Sequence, residues 1–161
     1  IGPFTFTTSC DARVAPFYEN FSALSRPDCW SEIGGEPWNF NLNAEYAAAS
    51  AGDGSPIGNT NYAWIDGSLP NGENHISKLR TPWVDISNLS VPVLKFSLFS
   101  VNSESDFYNT FKVFVHDDIG SSIELYSVQE STDGWKVYMA ELGDLNLSSN
   151  IQIEFFIHEN S

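Results

Sequence analysis

Between residues 62 and 158 the chain is a succession of short runs in which apolar and polar residues alternate, each closed by turn residues. In one such run Ile151, Ile153, Phe155 and Ile157 share a face, while Gln152, Glu154, Phe156 and His158 share the other. Trp135, Val137 and Met139 oppose Lys136, Tyr138 and Ala140, and Leu94, Phe96 and Leu98 oppose Lys95, Ser97 and Phe99. A period of two residues puts alternate side chains on opposite faces of a strand, and burying one face selects this pattern. It predicts strands over 62–66, 75–84, 93–101, 110–116, 122–128, 134–141 and 151–158. Pro70-Asn71-Gly72, the residues around Gly120, and Asp133-Gly134 supply the turns between them. Two earlier strands are expected over 3–8 and 15–21, and helical propensity is confined to 43–50. About nine or ten short strands without crossover helices predict an all-β fold, an antiparallel jelly-roll β-sandwich forming a single domain over 1–161. Phe99 and Phe156 fall on otherwise polar faces, where an aromatic is either covered by a neighbouring loop or part of a binding surface.

Charge narrows the partners. Twenty-one acidic residues against seven basic ones give a formal net charge of −14. The bases are scattered, so no patch can displace the counterions of a nucleic acid. Anionic membrane surfaces are disfavoured for the same reason. No apolar run approaches the roughly 20 residues that a membrane helix needs, so neither nucleic-acid binding nor membrane insertion is expected. Cys10 and Cys29 are the only cysteines. An even pair reads as a disulfide in an exported chain and as two free thiols in a cytosolic one. The strand-rich, acidic, lysine-poor composition favours export. Starting at Ile1 without a leader-like stretch, the sequence reads as a mature chain or an excised module.

Chemistry-bearing motifs are scarce. The sequence contains no GxSxG, HExxH, CxxC or glycine-rich phosphate loop. His75, His116 and His158 lie in or beside separate predicted strands, which points to half-exposed strand positions rather than a metal site. A pair of carboxylates straddling a sugar bond, as glycoside hydrolysis needs, is compatible with a jelly roll. No strand places acids alternately on one face in the manner of E-x-D-x-x-E, and the chain is read as a non-enzyme. The stretch 52–67, GDGSPIGNTNYAWIDG, is more suggestive. Gly and Asn let its backbone turn sharply, and Asp53 and Asp66 bring carboxylates to the turn, as a hard cation such as Ca²⁺ requires. For a ligand, Trp38 and Trp83 are the candidate platforms, since each stands beside proline in a loop-like context and an exposed indole stacks well on sugar or peptide.

The order of several short motifs resembles the MAM family (meprin, A5 protein, receptor phosphatase mu), and is closest to the bacterial MAM-like modules of secreted multidomain proteins. The residues that carry the resemblance are Cys10, Phe17-Tyr18-Glu19-Asn20-Phe21, Pro27-Asp28-Cys29-Trp30, Glu36-Pro37-Trp38, Ala51-Gly52-Asp53 and Asn61-Tyr62-Ala63-Trp64-Ile65-Asp66. Further along come Ser77 to Leu89 (SKLRTPWVDISNL), Asp133-Gly134-Trp135 with Val137, and Ile151-Gln152-Ile153-Glu154-Phe155. The resemblance implies a jelly-roll module that is non-catalytic and mediates adhesion or recognition outside the cell. Its partner would be a cell-surface or matrix protein or a polysaccharide, and its neighbours the other domains of a larger secreted or surface protein. A carbohydrate-binding module is the alternative. The resemblance also implies a structural Ca²⁺ held by Glu19 and Asp53, and Asp66 of the same loop is the residue that could fill the place of a further acid. The family's closing Gly-Asp-Ile-x-x-Asp-Asp strand, which adds acid to that ion, has no counterpart before Ser161.

Overall fold

A computed structural model of the chain describes residues 10–42, 44, 61–66, 75–102 and 109–159. Every regular element among them is a β-strand: β1 (Arg13–Val14), β2 (Ser31–Gly34), β3 (Asn39–Asn41), β4 (Tyr62–Trp64), β5 (Ile76–Arg80) and β6 (Val84–Asp85). They are followed by β7 (Val93–Leu98), β8 (Thr110–Asp117), β9 (Ser122–Val128), β10 (Lys136–Glu141) and β11 (Asn150–His158). The expected strand over 3–8 and, apart from residue 44, the helical stretch over 43–50 lie outside the described residues. No helix among the described residues is long and apolar enough to cross a membrane.

The protein is an all-β sandwich. One layer is a sheet of seven strands centred on β11. β8 runs antiparallel along one side of β11 and carries β9 beyond it. β5 and β6 lie end to end along the other side, with β2 outside β5 and β1 outside β6. The opposite layer holds two antiparallel pairs, β7 with β10 and β3 with β4. Trp135 joins these pairs, its ring meeting Tyr62 of β4 and Phe99 just past β7.

In most strands the inward residues are the apolar face of the alternating pattern; β10 reverses it, with Tyr138 stacked on Phe96 in the core while Val137 and Met139 of the expected inner face are exposed. Val113, Val115, Ile151, Ile153 and Val84 of the large sheet pack on Phe96 of β7. Trp30, Trp38, Phe40 and Leu79 form a second cluster under β3 and β4. Phe155 bridges the two, touching Trp30, Phe96 and Phe111. Burying side chains of this size contributes roughly 1.5–3 kcal/mol each, so the sandwich is held by its aromatic middle rather than by its edges.

The expected strand over 15–21 does not form. Pro16 has no N–H to give to a ladder. Beyond it, Glu19 Oε1 accepts the backbone N–H groups of Asn20 (3.0 Å) and Phe21 (2.6 Å), and Phe21 takes a φ of 54°. A local carboxylate turn replaces the strand and drops Phe17 and Phe21 onto Trp30.

Candidate functional site

The outward face of the large sheet is where unlike chemistries converge. Register aligns its side chains in cross-strand rows. One row runs Thr110–His158–Ile76, with Gln129 bonded to Thr110 through Nε2 and Oγ1 at 2.8 Å. The next runs Ser127–Lys112–Phe156–Lys78–Ile33, and the third Glu124–Phe114–Glu154–Arg80–Ser31. A bulge between Val113 and Phe114 shifts β9 so that Glu124, not Leu125, faces outward beside Phe114.

Glu154 is the unexpected member. It stands on the outward face yet is only 2% exposed. Arg80 donates to it from Nε at 2.5 Å, and Lys78 Nζ lies 3.2 Å from its other oxygen. Burial alone would push its pKa up, but the bonds and charges of Arg80 and Lys78 outweigh this and hold the carboxyl below the usual range. His116 Nε2 sits 3.5 Å from the same carboxylate without a hydrogen bond, its ring stacked on Phe114. Burial lowers the His116 pKa, and the neighbouring Arg80 and Lys78 add to this against the pull of Glu154, which favours the neutral imidazole.

Beside this pair the face is open. Thr110, Lys112, Phe114, Ser127, Gln129, Phe156 and His158 line a shallow, solvent-open cleft of about 570 Å³. Phe114 and Phe156 meet edge to face at 5.9 Å, and Lys78 Nζ lies 5.4 Å from the Phe156 ring centre. Lys112 is paired with Glu124 at 2.7 Å.

A second cluster closes the end of β11. Gly34 has a φ of 109°, and a Cβ there would lie 1.9 Å from the Ile76 carbonyl oxygen, so only glycine fits this turn. The turn delivers Glu36, whose N–H donates to Ser77 Oγ at 2.8 Å, toward Glu159 and His75. Glu159 is 4% exposed and its Oε1 has no hydrogen-bond partner. Burial raises its pKa, and the charges of Glu36 and Asp66 raise it further against a smaller opposing effect of His75. A group that holds its proton more tightly folded than unfolded gains stability as pH falls and loses it as pH rises through the folded pKa. Glu159→Gln, which removes the buried charge and its repulsion from Glu36 and Asp66 but keeps the shape, is therefore expected to stabilise the protein at neutral pH by about 1 kcal/mol or more. Thermal melts from neutral to acid pH check this: the two curves should converge as the wild-type carboxyl protonates, and a variant that melts lower throughout would refute it.

The residues singled out from sequence separate into different places. Cys10 and Cys29 form a disulfide with Cα atoms 5.6 Å apart. Trp38 is only 9% exposed and packs on Trp30, Phe40 and Leu79, so its ring is core and offers no stacking platform. Pro37 precedes it, and its own N–H donates to Glu32 Oε2 at 3.2 Å just before β3. Trp83 is half-buried in the bend between β5 and β6, where its carbonyl accepts the Arg13 N–H at 2.8 Å. Asp53 lies outside the described residues. Glu19 commits one oxygen to its own turn, and the charge of Asp66 acts on Glu159, just past the end of β11. Among the described residues no three of His, Cys, Asp and Glu are placed to hold a metal ion. Of the cleft residues, Phe156 was legible as an aromatic on a polar face; Lys112, Phe114, Ser127 and Gln129 became neighbours only through the β8–β9 and β8–β11 registers.

No family model matches the chain, and no curated protein matches it.

Proposed function

We propose that this chain is a non-catalytic recognition module of a secreted or surface protein, a MAM-like jelly roll that binds through the outward face of its large sheet. The observation that carries this is the cleft over Phe114 and Phe156, where two aromatic rings are surrounded by hydroxyl, amide, ammonium and imidazole groups. Sites for small or extended ligands combine an apolar floor with a few directed polar groups. The carboxylates of the face argue for binding without catalysis. Glycoside hydrolysis needs one carboxyl that gives up a proton, whereas Glu154 is held ionised by Arg80 and Lys78 and Glu124 is engaged by Lys112. The disulfide supports export, since such bridges persist in oxidising compartments. The test is a set of glycan and matrix-protein arrays probed with wild type and with Phe156→Ala. The expected result is specific binding that falls about tenfold or more in the variant, the loss of one well-placed contact. Binding that ignores the substitution would move the site elsewhere.

A structural Ca²⁺ belongs to the same proposal, with Glu19, Asp53 and Asp66 as its ligands. Its support is the charge crowded around Asp66, Glu36 and Glu159, where a divalent cation would relieve repulsion. Melting in calcium and in chelator tests it: Ca²⁺ should raise the wild-type transition and lose that effect in Asp53→Asn and Asp66→Asn. Identical melting in both buffers would remove the ion from this reading.

A further inference from the structure

The chemistry of the cleft specifies more than a binding surface. We infer that its ligand is a neutral polysaccharide, a chain of uncharged sugar rings laid across Phe114 and Phe156. This rests on the recognition reading above and names its ligand class. Sugar rings present C–H faces and a rim of hydroxyls, so they need an apolar floor with donors and acceptors around it. Here the floor is the two phenyl rings at 5.9 Å, and the rim is Thr110, Ser127, Gln129, Lys112 and His158.

Charge decides against an acidic polymer. Lys112, the lysine in the lining, already pairs with Glu124 at 2.7 Å, and the neighbouring Arg80 and Lys78 are turned onto the buried Glu154. The cations of this face are thus engaged by the protein's own carboxylates. An acidic chain would have to compete with them while approaching a molecule of net charge −14. Position decides against an extended peptide, which binds β proteins by adding to an open strand edge. The cleft is lined by side chains on the outward face of β8, β9 and β11; β8 and β11 have partners on both sides, and among the described strands here only β9 has an unpaired edge.

The experiment is affinity electrophoresis and calorimetry of the whole chain against soluble neutral polysaccharides (a β-glucan, a galactan and a mannan), with polygalacturonate as the acidic arm. At least one neutral polymer should bind, with an affinity that changes less than about twofold between low and high salt because no ion pairs form. Phe156→Ala should weaken it about tenfold or more and Gln129→Ala several-fold, while Lys95→Ala, on β7 in the opposite layer, should leave it unchanged. Circular dichroism melts would confirm that the variants fold. Binding to polygalacturonate alone, or binding that collapses in high salt, overturns the neutral-ligand inference and leaves recognition by the cleft standing. Array binding to a matrix protein with no polysaccharide bound also overturns it. Polysaccharide binding unmoved by Phe156→Ala overturns both.

Discussion

Arg80→Ala should be among the most damaging single substitutions on the surface of this protein. The side chain is partly exposed, and a surface arginine is ordinarily worth little. Its partner is not at the surface, however: Glu154 is 2% exposed, and Arg80 supplies its shortest contact, with Lys78 second at 3.2 Å. Removing one member of a buried pair leaves an uncompensated charge and costs about 3–5 kcal/mol. With Lys78 still present the loss should fall near the lower end, about 3 kcal/mol. For a chain of this length that is a drop in melting temperature of roughly 6–12 °C. The pH dependence gives the mechanism a separate check. Glu154 has a depressed pKa in the fold, so its contribution is present above the ordinary carboxylate pKa and disappears as pH falls through the folded value. The gap between wild type and variant should therefore narrow in acid. Arg80→Met with Glu154→Leu, which removes both charges and keeps volume, should recover most of the loss. An Arg80→Ala variant melting within about 2 °C of wild type, less than 1 kcal/mol, would show that Lys78 alone satisfies the carboxylate.

The alternating pattern made the strands legible because burial of one face acts on every second residue directly. Strands β7 to β11 fall within a few residues of the alternating runs, but in β10 the buried face is that of Tyr138, and Val137 and Met139 are exposed. The sandwich class followed from the same pattern. What sequence alone could not supply was register. Phe114, Lys112 and Ser127 are ordinary outward residues until β8 is set beside β11 and β9, and the bulge at Val113 and Phe114 decides which β9 residue joins them. Glu154 illustrates the limit most clearly. Its position predicts a solvated carboxylate, and it is buried only because Lys78 and Arg80, more than seventy residues earlier, arrive on the neighbouring strand. Trp38 shows the opposite error. Its loop-like context suggested exposure, but a large apolar ring next to a forming strand finds the core at little cost, and the Trp30–Phe40–Leu79 cluster takes it in. Of the calcium ligands expected from sequence, Glu19 turns one oxygen onto its own backbone, which only the local chain path decides, and Asp66 places its charge near Glu159.

Replacing both cysteines, Cys10→Ser with Cys29→Ser, should destabilise the fold by about 3 kcal/mol, the chain-entropy value for closing a loop of this size. The bridge spans 19 residues of sequence. Within that span lie β1, the Glu19 turn, Phe17 and Phe21, and immediately beyond it come Trp30 and β2. Those elements do not hold themselves: β1 contributes only Arg13 and Val14 to the sheet edge, and both are exposed. What docks the segment is Phe17 and Phe21 against Trp30, and Trp30 against Phe155, with ring centres 5.3–6.5 Å apart. The bridge limits how far that segment wanders in the unfolded chain, so its loss should lower the melting temperature by roughly 6–12 °C without changing the folded sheet. Hydrogen exchange should show the effect unevenly, with amides of 10–30 losing protection first and those of β8 and β11 last. Wild type in reductant should match the double variant, and a transition that ignores both treatments would show that the aromatic contacts alone fix the segment. Because these contacts lie on the inward face of the large sheet and the cleft on the outward one, ligand binding below the new transition should survive. The covalent tie secures the edge of the sandwich, and the face it leaves free is the one available to a partner.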